Sequence, residues 1–209
     1  MTFYEDIIFN KKDVKVDTDG IFWLVRYLLD QGLYDRLDRI LAALEVRFLE
    51  KNLKHEILFF RGESAMGMND HTKAAEWYGQ AIQANAEGAY VPHAHLGRGI
   101  ALEAMGQSAE AGKSFAEALK YDQEVKVAVR ARFESANLLL KDKQWEEAAK
   151  AFMLVAILYD DPKYTPFALY RAGECFRGIG KTEDAEKAFL ELKTKYPESE
   201  WSLKAGETP

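Results

Sequence analysis

Small and bulky apolar residues recur along this chain at a fixed spacing of 37 residues. A small column runs through Val25, Gly62, Gly99, Ala136 and Gly173, and a second through Leu37, Ala74, Ala111, Ala148 and Ala185. A bulky column runs through Leu41, Tyr78, Phe115, Phe152 and Phe189. In the last unit, Leu169, Ala172, Gly173 and Phe176 fall at offsets of three, four and seven, which is one face of a helix. Ala185, Ala188, Phe189 and Leu192 mark a second helix in the same way. Gly178 and Gly180 flank the turn between them, and Thr182 is placed to cap the second helix. Each unit therefore reads as a helical hairpin. Its small residues lie where the two helices cross, because a larger side chain there would hold the backbones apart.

Gly32, Asn69, Gly106, Lys143 and Gly180 take the turn position of successive units. Pro92 and Pro166 fall at the start of a unit, where proline costs no helical hydrogen bond. Ala188 and Leu192 need a neighbouring first helix to cover them, so no hairpin buries its apolar face alone and the units must stack. The predicted fold is all-α, an α-solenoid of about five stacked helical hairpins. Residues 1–17 are assigned to an N-terminal capping segment, residues 18–202 to one domain, and residues 203–209 to a tail. The units lie near 18–54, 55–91, 92–128, 129–165 and 166–202. Phe3, Tyr4, Ile7, Ile8 and Phe9 supply the apolar face expected of a cap, with a partner or dimer contact as the rival role. At the other end, Glu198 to Ala205 begins like a further helix carrying Trp201 and Leu203.

The segments LYRAGECFRGIGKTEDAEKAFLELKTKYP, HLGRGIALEAMGQSAEAGKSFAEALKYD and FRGESAMGMNDHTKAAEWYGQAIQANAE carry the resemblance to a known family. In their small, aromatic and alanine positions, and in the closing Pro197, they resemble tetratricopeptide repeats. The resemblance covers about residues 18 to 202 and implies a right-handed α-solenoid. The first unit departs from it, with Val25 and Leu37 where small residues are expected, which implies a looser crossing. The period departs too, being longer than the family's usual one, and the extra residues are expected in links such as Asp160 to Thr165. The spacing and the turn Tyr196-Pro197-Glu198-Ser199 look like bacterial cell-envelope members of the family.

The resemblance implies that the first helix of each hairpin lines a concave wall, with a column there at Phe22, Phe59, Leu96, Phe133 and Tyr170. Two readings of that column stand side by side. As exposed apolar surface it would hold an extended peptide or an amphipathic helix of a partner; as structural core it would pack between neighbouring first helices. Polar residues on the same wall are Glu56, Glu63, Glu103, Arg130, Asn137, Glu174 and Arg177, acidic in the second and third units and mixed in the last two. A partner with a basic segment and apolar anchors fits them, and an ordinary solvated face accounts for the same charges. The lysine, arginine and asparagine clamp by which some family members hold chaperone tails is missing, since the matching helices offer Glu56, Phe59 and Glu63, then His93, Leu96 and Ile100.

Composition narrows the remaining choices. With 209 residues, the chain has a net charge of −6, which disfavours a nucleic-acid partner. No run of apolar residues is long enough for membrane insertion. Charged residues such as Glu5, Asp6 and Lys11 interrupt the N-terminus where a secretory leader needs an apolar core, so the chain reads as cytoplasmic as written, or periplasmic if an upstream leader was removed. Cys175 is the one cysteine and is expected to be a buried, inert thiol. His93 and His95 are two apart, on different faces of a helix, with no zinc motif around them, and no phosphate loop or nucleophile elbow occurs. No cofactor, metal or catalytic residue is therefore assigned. The leading expectation is a non-catalytic adaptor or scaffold for a protein or peptide partner. The rivals are a self-assembly module forming dimers or filaments through its end hairpins, hence a homo-oligomer, and a helical accessory domain of a larger envelope protein.

Overall fold

The computed structural model describes residues 3–11, 17–47, 53–121 and 123–207. The charged stretch at 12–16, the junction of the first two repeats at 48–52 and the end of the tail at 208–209 lie outside the described residues. All regular structure among the described residues is helical. In chain order the helices are α1 (Phe3–Asn10), α2 (Thr18–Asp30), α3 (Tyr34–Arg47), α4 (Lys54–Gly67), α5 (His71–Ala84) and α6 (Val91–Ala104). They continue with α7 (Ser108–Ala118), α8 (Val125–Lys141), α9 (Trp145–Leu158), α10 (Tyr164–Gly178), α11 (Thr182–Lys195) and α12 (Glu200–Glu207). The chain forms two compact units, Met1–Ser114 and Phe115–Pro209, and the division falls inside α7.

The turn column behaves identically in every hairpin. Gly32, Asn69, Gly106, Lys143 and Gly180 all have positive φ, between 59° and 76°. Around each, two backbone bonds close the end of the first helix, as in Gln107 N–H to the Leu102 carbonyl at 2.9 Å and Gly106 N–H to the Glu103 carbonyl at 2.9 Å. That pair of bonds is the Schellman arrangement, which satisfies carbonyls the helix itself cannot. Asparagine tolerates the left-handed region through its short polar side chain, but Lys143 occupies it with no such help. Thr182 does not cap α11: the capping residue is Lys181, which makes no capping bond. Its ammonium instead donates to Glu146 at 2.9 Å, tying the last turn to the start of α9.

In the first unit, α4 packs along α5, α5 along α6, and α3 against α4. Tyr78 on α5 is the pin of this stack, 1% exposed. A methyl group at Gly62 of α4 would stand 2.6 Å from its ring, and one at Gly97 of α6 would stand 2.5 Å away. The ring thus fills two gaps that only glycine leaves open. His55, also buried, donates from Nδ1 to the Ala81 carbonyl at 2.8 Å and accepts the Tyr90 N–H at Nε2 over 3.2 Å. With one nitrogen a donor and the other an acceptor, this histidine fastens the 85–90 link to α4. Helix α1 lies against α2 and α3, burying Ile7 and Ile8 and joining Glu5 to Arg36 in a two-pronged ion pair.

In the second unit, α8 pairs with α9, α10 with α11, and α9 packs against α10. Val129, Phe133, Ala136, Phe152, Val155, Ala172, Cys175 and Ala188 form its main core. Phe189 reaches back to the crossing, so that a methyl at Gly173 would come within 2.5 Å of its ring. Asp161 accepts the N–H groups of Lys163 and Tyr164 at 2.9 and 2.8 Å, which starts α10 after the link. Helix α12 then covers α10 and α11, with Leu192 and Ala205 buried between them.

Candidate protein-binding walls

Within each unit the first helices stand closer to one another than the second helices do. Helix α2 approaches α4, α4 approaches α6, and α8 approaches α10, whereas neither α3 and α5 nor α9 and α11 make a comparable approach among the described residues. Closely set helices form the tighter side of a curved stack, which makes the first helices the inner wall of each unit.

On the first unit's wall, the column seen in the sequence is buried. Phe22 is 8% exposed and stacks on Phe60, with ring centroids 5.6 Å apart. Phe59, 6% exposed, stacks on Tyr90 at 4.5 Å and meets Tyr78 at 5.9 Å and the edge of His93 at 6.2 Å. Leu96 is 7% exposed. Phe22 and Phe59 lean sideways onto neighbouring elements, as the core alternative of the two readings has it, and none of the three side chains supplies an exposed stripe. Half-buried residues flank them: Glu56, Glu63 and Met66 on α4, and His93, Ile100 and Glu103 on α6. Glu63 accepts a hydrogen bond from the Tyr78 hydroxyl at 2.5 Å. One carboxylate oxygen of Glu56 and Nδ1 of His93 are closed to solvent without a hydrogen-bond partner. On α2, Asp19, Trp23, Arg26, Tyr27 and Asp30 are exposed.

The second unit's wall differs in kind. Phe133, 3% exposed, packs on Phe152, Tyr164 and Phe167, while Tyr170 is only half-buried, against Phe189 at 6.1 Å and Trp201 at 5.4 Å. Burial, and then donation of its hydroxyl to Glu174 at 3.0 Å, raise the Tyr170 pKa. The charges here answer one another. Arg130 lies 3.8 Å from Glu134, which also accepts from Asn137 at 2.9 Å. Arg171 pairs with Glu174 at 3.3 Å and lies over the Phe167 ring. Arg177 is exposed, with its guanidinium 5.8 Å from the Phe189 centroid. Glu134, Arg171 and Phe167 are not singled out by the sequence, and Trp201 only as part of the C-terminal helix. Glu134 and Arg171 stand three residues from Asn137 and Glu174 respectively, so helical spacing alone would have found them.

Among the described residues, no helix is long and apolar enough to cross a membrane, and no group of histidine, cysteine or carboxylate side chains is arranged to hold a metal ion. Cys175 is buried, which pushes its thiol pKa up to about 11.

Models of the family described as Tetratricopeptide repeat match residues 55–87, 96–165 and 167–199. Among solved structures, YrrB, described as a TPR protein with an unusual peptide-binding site, is 18% identical with a TM-score of 0.66, over 100% of this chain and 99% of that one. BtubC (BKLC) from P. vanneervenii is 14% identical with a TM-score of 0.74, over 92% of this chain and 82% of that one. The Rap conjugation gene regulator of plasmid pLS20, solved in complex with the Phr* peptide, is 15% identical with a TM-score of 0.59, over 97% of this chain and 65% of that one. No curated protein sequence matches. At these identities the likeness to solved structures is one of fold.

Proposed function

Since the chain belongs to the tetratricopeptide repeat family, we propose that it is a non-catalytic adaptor that holds a peptide or helix of a partner protein against its first-helix walls. The observation that carries this reading is the closely set row of first helices whose accessible positions recur at the repeat spacing. In the first unit they present Glu56, Glu63, Met66, Ile100 and Glu103, and in the second Tyr170, Glu174 and Arg177. Phe22, Phe59, Leu96 and Phe133 hold those positions in place from below. The peptide-binding descriptions of YrrB and of the pLS20 regulator complex support the same mode of action on a shared fold.

The test is site-specific photo-crosslinking in the native source, with a benzophenone side chain at Ile100, at Arg177, or at Ile157 on the outer face of α9, where it is 72% exposed. The expected result is a covalent adduct with a partner from the wall positions and none from Ile157. Adducts from Ile157 alone would move binding to the outer face and reject the wall.

Self-assembly is the second reading, favoured by one feature of the first unit. Trp23 is 57% exposed and stacks on Tyr27, itself 43% exposed, with Phe3 70% exposed beside Tyr4. Exposed aromatic clusters mark contact surfaces. Sedimentation at several concentrations decides it: a sedimentation coefficient that rises with concentration, and stays constant in Trp23→Glu/Tyr27→Glu, supports assembly through this cluster.

A further inference from the structure

The two walls differ in how their charges are satisfied, and that difference identifies the chemistry of the ligand. On the second unit's wall, every acidic group named above lies beside a cation or an amide of its own helix, Glu134 with Arg130 and Asn137, Glu174 with Arg171. On the first unit's wall, where α4 and α6 lie side by side, Glu56 and Glu63 of α4 make no ion pair among the described residues. The two arginines of these helices turn elsewhere. Arg61 pairs with Glu45 at 2.7 Å and covers Trp77 on α5, and Arg98 lines a cavity with Gly79, Gln80 and Gln83 of α5. Glu63 is met by a neutral hydroxyl, and one oxygen of Glu56 is closed to water without a partner. A carboxylate withdrawn from water and left without a counter-charge is costly, and a cation supplied from outside relieves that cost.

Resting on the wall reading above, we infer that the first unit's wall binds a cationic segment of a partner protein, with at least two lysine or arginine residues flanking an apolar side chain. Glu56 and Glu63 stand two turns apart on α4, about 10 Å along its axis, so one basic residue does not serve both. Met66 and Ile100, half-buried on the same faces, offer the apolar seat. On α2, Asp19 and Asp30 outnumber Arg26, so that helix adds to the acidic field.

The test is selection of a random dodecapeptide phage library on the full chain and on the double variant Glu56→Gln/Glu63→Gln. Glutamine keeps the side-chain volume and still accepts the Tyr78 hydroxyl, and an unchanged thermal unfolding curve verifies the fold. The expected result is enrichment of peptides with two or more basic residues beside apolar ones on the parent chain, and loss of that enrichment on the variant. A selected peptide made synthetically should bind the variant about tenfold more weakly, and its affinity for the parent should fall as salt is raised from about 50 to 200 mM. Enrichment of neutral or acidic peptides that is lost in Ile100→Glu overturns the cationic inference and leaves the wall reading standing. No enrichment on the parent chain, or enrichment that Ile100→Glu leaves untouched, overturns both.

Discussion

At the scale of the residue, the neighbours around a side chain decide what it does more than its place in the repeat does. Phe59 and Tyr170 share a column, yet Phe59 is enclosed by Tyr78, Tyr90 and His93 while Tyr170 is only half-buried. Phe59→Ala is therefore expected to lower stability by about 3–5 kcal/mol, the range for an aromatic removed from a core, as read by urea unfolding. A stable Phe59→Ala protein would place the ring outside the core. Lys143 holds φ 60° at a turn where Gly106 and Gly180 hold the same conformation without a Cβ. Lys143→Gly should raise stability by about 1 kcal/mol, since relief of left-handed strain outweighs the added freedom of the unfolded chain. Cys175, with burial pushing its pKa up to about 11, should stay unreactive to a thiol reagent at neutral pH and react fully once urea unfolds the chain. Fast native labelling would mean that α10 opens readily.

At the scale of the element, the hairpins were legible and their joints were not. The small and bulky columns and all five turn residues read directly from the sequence, because a helix crossing and a left-handed turn each accept few residue types. The lean of the aromatic column was not legible: a helical period fixes the face a ring occupies, not whether it tips toward a groove or toward the next helix. His55 was missed for a related reason, since its partners at Ala81 and Tyr90 lie on another helix and a link. The joint at Glu146 gives a pH-dependent test. Hydrogen bonds from Lys150 and Lys181, with their charges, hold its pKa down to about 2. A carboxylate whose folded pKa lies below its unfolded value, about 4.3, stabilises fully above that value and loses the contribution as pH falls through the folded one. The urea midpoints of the parent and Glu146→Gln should accordingly differ at neutral pH and converge as pH falls toward 2. A constant gap would show that the Lys181 tie contributes through geometry and not through charge.

At the scale of the whole molecule, stability is the sum of local contacts between neighbouring helices, as stacked repeats require. A disturbance should then stay near its origin. Gly97→Val forces a branched side chain into the Tyr78 ring, at an expected cost of about 1–3 kcal/mol. By amide hydrogen exchange, protection should fall in α4, α5 and α6 while α10 and α11 keep theirs. Equal loss everywhere would mean that the chain unfolds as one cooperative body. The same ring has a consequence for how such a chain varies over time. Gly62, Tyr78 and Gly97 lie 16 and 19 residues apart yet occupy one volume, so none is free to drift alone. An alanine arriving at either glycine is tolerated only in a lineage whose Tyr78 has already become smaller. Once the ring has shrunk, tyrosine can return only after both glycines do. Relatives of this protein should therefore carry the three positions as one inherited set, switching together across lineages while the residues between them change freely.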